Sequence, residues 1–266
     1  MLTDHGASLP PPSGEGSAVP LRRGSRLFCV SDPHASARTS APTGTIAVAD
    51  AVELAVVERS GFVESRHAGA AIVLDPEGAV QLALGDVDAP ILPRSSMKPL
   101  QALGCLTAGV TLEGEQLALS TASHSGTDRH AAVVREILAT AGLGEDQLQC
   151  PPAWPGDTAT RDELVRELGQ PARVRMNCSG KHATMLLACT ANGWDTETYL
   201  DPQHPLQVHI REVIERLTGT KITTTAIDGC GAPVYAMSLT ALARAAHRIG
   251  TTLVVSAARV SGALAR

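Results

Sequence analysis

Arg94-Ser95-Ser96-Met97-Lys98-Pro99, running on as Leu100-Gln101-Ala102-Leu103-Gly104-Cys105-Leu106-Thr107-Ala108-Gly109, is the stretch in which the sequence changes its period. Leu100, Leu103 and Leu106 recur at a spacing of three, the apolar stripe of a helix, and Gly109 follows as a stop. Proline is tolerated in a helix only in its first turn, so Pro99 places Lys98 at a helix N-terminus. Ser95 and Lys98, three residues apart, then share one face, close enough for the amine to take the hydroxyl proton. The helix dipole there favours developing negative charge, which helps a serine alkoxide. To act as a base, Lys98 needs its pKa lowered by desolvation or by a second cation, and Arg94 or Lys181 could supply that charge.

Before Asp86 the period is that of strands. Apolar runs over 51–57 (Val52, Leu54, Val56, Val57), 68–74 and 79–84 read as three strands, the last two joined by the turn Asp75-Pro76-Glu77-Gly78. After the 94–109 stretch, helices are expected at about 128–141 (capped by Ser125 or Thr127 and ended by Gly142), 162–168, 182–190 (ended by Asn192-Gly193), 205–217 and 239–247. A returning strand is expected over 222–227. Strands first, then helices, then a strand imply an α+β (mixed α/β) fold without repeats or a dinucleotide fingerprint. Residues 1–43 carry Pro10, Pro11, Pro12, Pro20, Pro33 and Pro42 among Gly and Ser with no periodicity. They read as a disordered extension, 1–45, ahead of a globular domain over 46–266.

Composition narrows the function. The 266 residues are 44% hydrophobic but only 2% aromatic, so the core must be built from Ala, Leu, Val and Ile. A net charge of −5 with no basic block argues against nucleic-acid binding. No apolar run approaches the ~20 residues that span a bilayer. Arg22 and Arg23 are followed by no apolar stretch, so no signal peptide is expected and the chain is expected to be cytosolic. The six cysteines are too scattered for a disulfide framework and default to buried thiols.

Of 22 Lys plus Arg, only Lys98, Lys181 and Lys221 are lysine. A sequence so biased to Arg keeps Lys where Arg cannot substitute, and what Lys can do is lose its proton, to act as a base or a metal ligand. Lys221, in a polar strand entry, reads as surface. Lys181 lies in Asn177-Cys178-Ser179-Gly180-Lys181-His182, where Cys and Lys share a helical face. With the Gly-flanked Cys of Asp228-Gly229-Cys230-Gly231 they could bind zinc and leave a position for water; Ser179 as a mere cap and Cys178 as an inert thiol is the alternative. A third pattern, Thr121-Ala122-Ser123-His124-Ser125-Gly126, follows the run Leu117 to Leu119 and reads as a strand-to-loop junction. Ser123 and His124 point opposite ways on an extended chain, so a direct nucleophile–base pair between them is not expected. A capping role for this segment competes with a catalytic one.

Taken in order, Arg-Ser-x-x-Lys-Pro, Ala-Ser-His-Ser, Asn-Cys-Ser-Gly-Lys-His and Asp-Gly-Cys-Gly-x-Pro resemble the rhizobial-type L-asparaginase family over about 50–245, and residues 63–67 and 84–86 look like its first strands. The resemblance implies a serine β-lactamase-like fold shared with glutaminases, and hydrolysis of L-asparagine to aspartate and ammonia with no nucleotide cofactor, by a homodimer. It implies Ser95 and Lys98 as the first Ser–Lys tandem and Ser123 as the serine of the second. It further implies Arg94, His124 and Asp228 around the substrate, and Cys178, Lys181 and Cys230 as ligands of a zinc ion that aids substrate binding. Residues after about 249 match nothing expected of the family, which would leave the domain incomplete at its C-terminal end. Glutamine or a β-lactam as substrate, and a catalytically dead zinc-binding fragment, are the alternatives.

Overall fold

The change of period at Asp86 divides the architecture. The computed structural model describes residues 44–264, with side chains through Thr252; the proposed extension over 1–43 lies outside the described residues. β1 (Val52–Arg59) and β2 (Phe62–Gly69) form an antiparallel hairpin across Ser60-Gly61. Both turn residues have positive φ, 51° and 79°, which a two-residue hairpin turn demands. β3 (Ala71–Leu74) and β4 (Val80–Leu84) pair across the expected turn, where the Asp75 carboxylate accepts the Ala79 N–H at 2.7 Å. The strand expected over 68–74 is thus split at Ala70, and its first residues end a longer strand that the charged run Glu64-Ser65-Arg66-His67 concealed. Two further pairs close over the helices: β5 (Pro90–Ile91) with β8 (Met237–Ser238), and β6 (Thr225–Ile227) with β7 (Pro233–Tyr235). Among the described residues the strands therefore make four two-stranded antiparallel sheets.

Among the described residues there are seven α-helices, α1 (Lys98–Thr107), α2 (Gly114–Thr121), α3 (Asp128–Thr140), α4 (Thr158–Arg166), α5 (Ser179–Asn192), α6 (Pro205–Thr218) and α7 (Leu239–Leu264), and all but the exposed α4 contribute buried residues to the core. The mixed α/β class holds. α5 is buried at every position from Ser179 to Cys189, its polar Ser179, Lys181, His182 and Thr184 included, and α1, α2 and α3 pack about it. Small residues set the approach distances. A Cβ on Gly104 would lie 2.8 Å from Ile210 Cγ1, so glycine lets α1 close on α6. A Cβ on Gly180 would lie 2.7 Å from the Leu119 carbonyl, so glycine brings the start of α5 against the end of α2.

Two expectations are corrected. The run Leu117 to Leu119 belongs to α2, so Ser123 leaves a helix and not a strand; three apolar residues are too few to separate the two periods. α7 runs on through 249 without a break, because Ala241, Leu242, Ala245 and Ile249 keep one face packed against the core. Arg248 extends from it to donate to the carbonyls of Arg216 and Leu217 at 2.9 and 2.7 Å, satisfying the last turn of α6.

Candidate active site

Three chain segments meet at one amine. The first is the 3₁₀ turn Arg94–Met97 leading into α1, which presents Ser95 to solvent and buries Lys98 to 1% exposure. Arg94, directly before Ser95, has φ of +51°, a left-handed conformation rarely adopted by a long side chain. The second segment is the exit of α2, carrying Ser123. The third is the entry to α5 at Asn177-Cys178, held against the second by the Gly180–Leu119 approach.

Lys98 Nζ donates to the Ala122 carbonyl at 3.0 Å, the Asn177 carbonyl at 3.2 Å and Ser123 Oγ at 2.9 Å. Ser123 Oγ in turn donates to Ser95 Oγ at 3.1 Å. The three side chains form a chain, Ser95–Ser123–Lys98, and Lys98 makes no direct hydrogen bond to Ser95. The direct Ser95–Lys98 contact expected from their spacing is replaced by one through Ser123, because the turn holding Ser95 is 3₁₀ and only Lys98 begins the α-helix. Burial pulls the Lys98 amine below its usual pKa, Cys178 opposes that shift, and Lys181 adds to it. Two carbonyls fix two of its N–H groups and aim the third site at Ser123. That site is an N–H when the amine is charged and a lone pair when it is neutral, so the hydrogen bonds along the chain can reverse and carry a proton from serine to lysine.

Arg94 and Asp228 lie side by side, joined at 2.7 Å, and tie the Ser95 turn to the turn Asp228–Gly231. Gly231 there has φ of +88° and donates to the Asp228 carbonyl at 2.8 Å, which turns Cys230 inward. His124 is placed differently from what its neighbour suggests. Its Nδ1 accepts the Gly126 N–H at 3.1 Å and its Nε2 faces Ser179 Oγ at 2.9 Å, while Ser179 donates to the Val174 carbonyl at 2.8 Å. Both ring nitrogens are thereby spent inside the protein, with the proton on Nε2. Burial, helped by His130 and Lys98, lowers its pKa to about 4 and keeps it neutral. Ser179 is accordingly a buried linker and caps no helix; Thr127 is the residue that caps α3.

Cys178, Lys181 and Cys230 are buried together behind the serines, with Lys181 Nζ 3.3 Å from Cys230 Sγ. Contact with Cys178 draws the Cys230 thiol below its ordinary pKa, and the same contact with Cys230 raises Cys178. Two cysteine sulfurs and an amine are a donor set that could take a zinc ion with few protein ligands. Among the described residues no group of three His, Cys, Asp or Glu is placed to hold a metal, so any such site depends on Lys181. Lys221, as expected, is a surface residue paired with Glu215. Asn177 and Ser179 are the positions in this cluster whose contacts spacing did not indicate. Asn177 acts through its backbone carbonyl, which no side-chain pattern reveals.

Among the described residues no helix is long and apolar enough to cross a membrane. The family model described as L-asparaginase II matches residues 55–266, a range that takes in the segment after about 249 that is expected to match nothing of the family. No curated protein matches the chain.

Proposed function

The chain belongs to the L-asparaginase II family, and from that premise we propose that it hydrolyses L-asparagine to aspartate and ammonia through the chain Ser95–Ser123–Lys98. The observation that carries this is the hydrogen-bonded run from Ser95 Oγ through Ser123 Oγ to a buried, pKa-lowered amine. Ser95 Oγ attacks the side-chain amide carbon, its proton passing to Ser123 as the Ser123 proton passes to the neutral Lys98. The lysine then returns a proton along the same path to the departing nitrogen, and ammonia leaves an acyl-enzyme that water hydrolyses by the reverse sequence. Arg94 and Asp228 sit at the mouth to orient the substrate. Cys178, Lys181 and Cys230 would hold a zinc ion, which when bound supplies an electrophilic anchor for a polar group of the substrate. The fold is of the serine β-lactamase-like type, and the working form is a cytosolic homodimer.

A second assignment of the nucleophile is favoured by one distance. Ser123, not Ser95, touches Lys98, at 2.9 Å. Labelling with a diazoketone analogue of asparagine and mapping the adduct by mass spectrometry separates the two. The function itself is tested by ammonia release from L-asparagine, which should fall by about 10²-fold or more in Ser95→Ala and Lys98→Met. Full activity in Lys98→Met would overturn the amidohydrolase assignment. Competition with glutamine sets the substrate, since one methylene is worth only ~1–3 kcal/mol in a fitted pocket. Zinc-loaded protein without turnover would instead identify a catalytically dead zinc-binding protein.

A further inference from the structure

A cavity of about 260 Å³ opens between α2 and α3 with Ser123 in its wall. Its floor is apolar, from Leu119, Ala122 and Val133, and its rim carries Glu115, Arg129 and His130. It falls just under the ~300–1,000 Å³ typical of drug-sized ligands, which suits a single amino acid. Arg129 meets Glu115 side-on: its Nε donates to Oε1 at 3.3 Å while Nη2 pairs with Oε2. The two side chains are 69% and 59% exposed, and an ion pair so open to water contributes little to stability and is easily parted. His130 Nδ1 accepts the Thr127 N–H at 3.3 Å, so Nε2 is the ring nitrogen left for a ligand. One cavity beside a reactive serine thus offers a planar cation, an anion and an imidazole nitrogen.

We propose that this cavity takes the zwitterionic head of the substrate, Arg129 holding the α-carboxylate and Glu115 the α-ammonium. The pair that closes on itself in the empty cavity opens to bind the same two charges in the ligand. A guanidinium fork matches a carboxylate in two parallel hydrogen bonds, and an exposed carboxylate accepts from an ammonium. The apolar floor directs the side-chain amide to the polar groups left in the wall, Ser123 with Ser95 behind it and the imidazole of His130. This inference rests on the amidohydrolase assignment for the reaction and supplies its specificity: amides with both charged groups on the α-carbon are preferred to amides lacking either.

The test removes each charge from protein and substrate in turn. Turnover is measured for L-asparagine, for succinamate, which lacks the amine, and for 3-aminopropanamide, which lacks the carboxylate. Arg129→Met should lower kcat/KM about 10–100-fold for asparagine and succinamate and leave 3-aminopropanamide unchanged. Glu115→Gln should lower it for asparagine and 3-aminopropanamide and spare succinamate. Equal effects on all three substrates, or none, would overturn the proposal while leaving the reaction in place. Calorimetric binding of L-aspartate to the full chain gives a readout independent of turnover. Binding that is weakened at least tenfold in Arg129→Met, in a protein without amidase activity, would uphold the cavity and sink the reaction. No turnover and no L-aspartate binding by the unmodified chain would sink both.

Discussion

Leu186 in α5 and Leu82 in β4 are the same residue in segments of similar hydrophobicity, yet Leu186 is fully buried and Leu82 is 45% exposed. The contrast extends to whole regions. In α5 the apolar side chains from Ala183 to Cys189 are buried, and the reactive groups are held by contacts from three segments. In β1 to β4 the apolar side chains Val52, Leu54, Val56, Val57, Phe62, Val73, Val80 and Leu84 remain exposed. Two-stranded ribbons bury too little surface to stand alone. The helical region is therefore where the fold's stability and its chemistry coincide; the first hairpin is exposed along β1, and in the second β3, where Ile72 and Leu74 are half-buried, packs against α7. Position relative to α5, more than residue type, decides what a side chain does in this protein.

The largest effect should come from the middle of the proton chain. Ser123→Ala interrupts the hydrogen-bonded route that runs from Ser95 to Lys98 among the described residues, so it should reduce ammonia release about 10²–10⁴-fold, as much as Lys98→Met. A loss under threefold would mean that Ser95 reaches Lys98 without it. The pH profile adds a sign. Burial disfavours the ammonium, so the neutral amine forms at lower pH than in an ordinary lysine, and activity should rise with pH through a midpoint below the usual lysine range. That rising limb should disappear in Lys98→Met.

Next in size is the buried imidazole. The pKa of His124 is lowered to about 4 from 6.5, so the unfolded chain binds its proton first as pH falls. Its stabilisation is complete above pH 6.5 and is lost progressively down to about pH 4, roughly 3 kcal/mol in all. Chemical denaturation across that window should show the loss, and His124→Gln should flatten it. An equally steep pH dependence in the variant would place the titrating group elsewhere. Smaller again is Gly180→Ala, whose Cβ would press on the Leu119 carbonyl. It should cost about 1–3 kcal/mol in stability. Because it parts the two segments that place Ser123 and Asn177, kcat should fall further than the stability loss alone explains.

What was legible in the sequence was local. Thr127 caps α3, Pro99 opens α1, Gly193 ends α5 in a left-handed conformation, and Asp75 to Gly78 turn the chain, each for a reason contained within a few residues. Ser95, Lys98, Ser123, Cys178, Lys181 and Cys230 all stood out by type and neighbour, and the structure brings them together. Their pairing did not stand out. Lys98 and Ser123 are 25 residues apart, and the carbonyl of Asn177 is 79 residues from the amine it holds. Such contacts depend on how closely α2 and α5 approach, which Gly180 sets and no periodicity records. α2 was hidden for a simpler reason: eight residues with one short apolar run fit a strand as well as a helix. His124 looked available to a ligand because its two internal partners come from Gly126 and the distant Ser179.

The smallest effect bears most directly on the contrast between the two regions. Val56 and Leu82 are 43% and 45% exposed on the hairpins, so Val56→Thr and Leu82→Thr remove apolar surface already in contact with water. Each should change stability by within about 0.5 kcal/mol, the range of ordinary surface substitutions, whereas Leu186→Ala inside α5 should cost about 2–5 kcal/mol. Denaturant titration of the three variants side by side measures the ratio. If Val56→Thr or Leu82→Thr cost more than about 1.5 kcal/mol, the strand faces would be covered in solution by surface outside the described residues, and the hairpins would join the core. If both stay within the surface range, the strands owe their structure to backbone pairing and to α7, whose His247 Nε2 meets the Pro76 carbonyl at 2.8 Å at the tip of the second hairpin. His247→Ala should then destabilise the protein more than either strand substitution, because it removes a tether where the others remove only exposed surface.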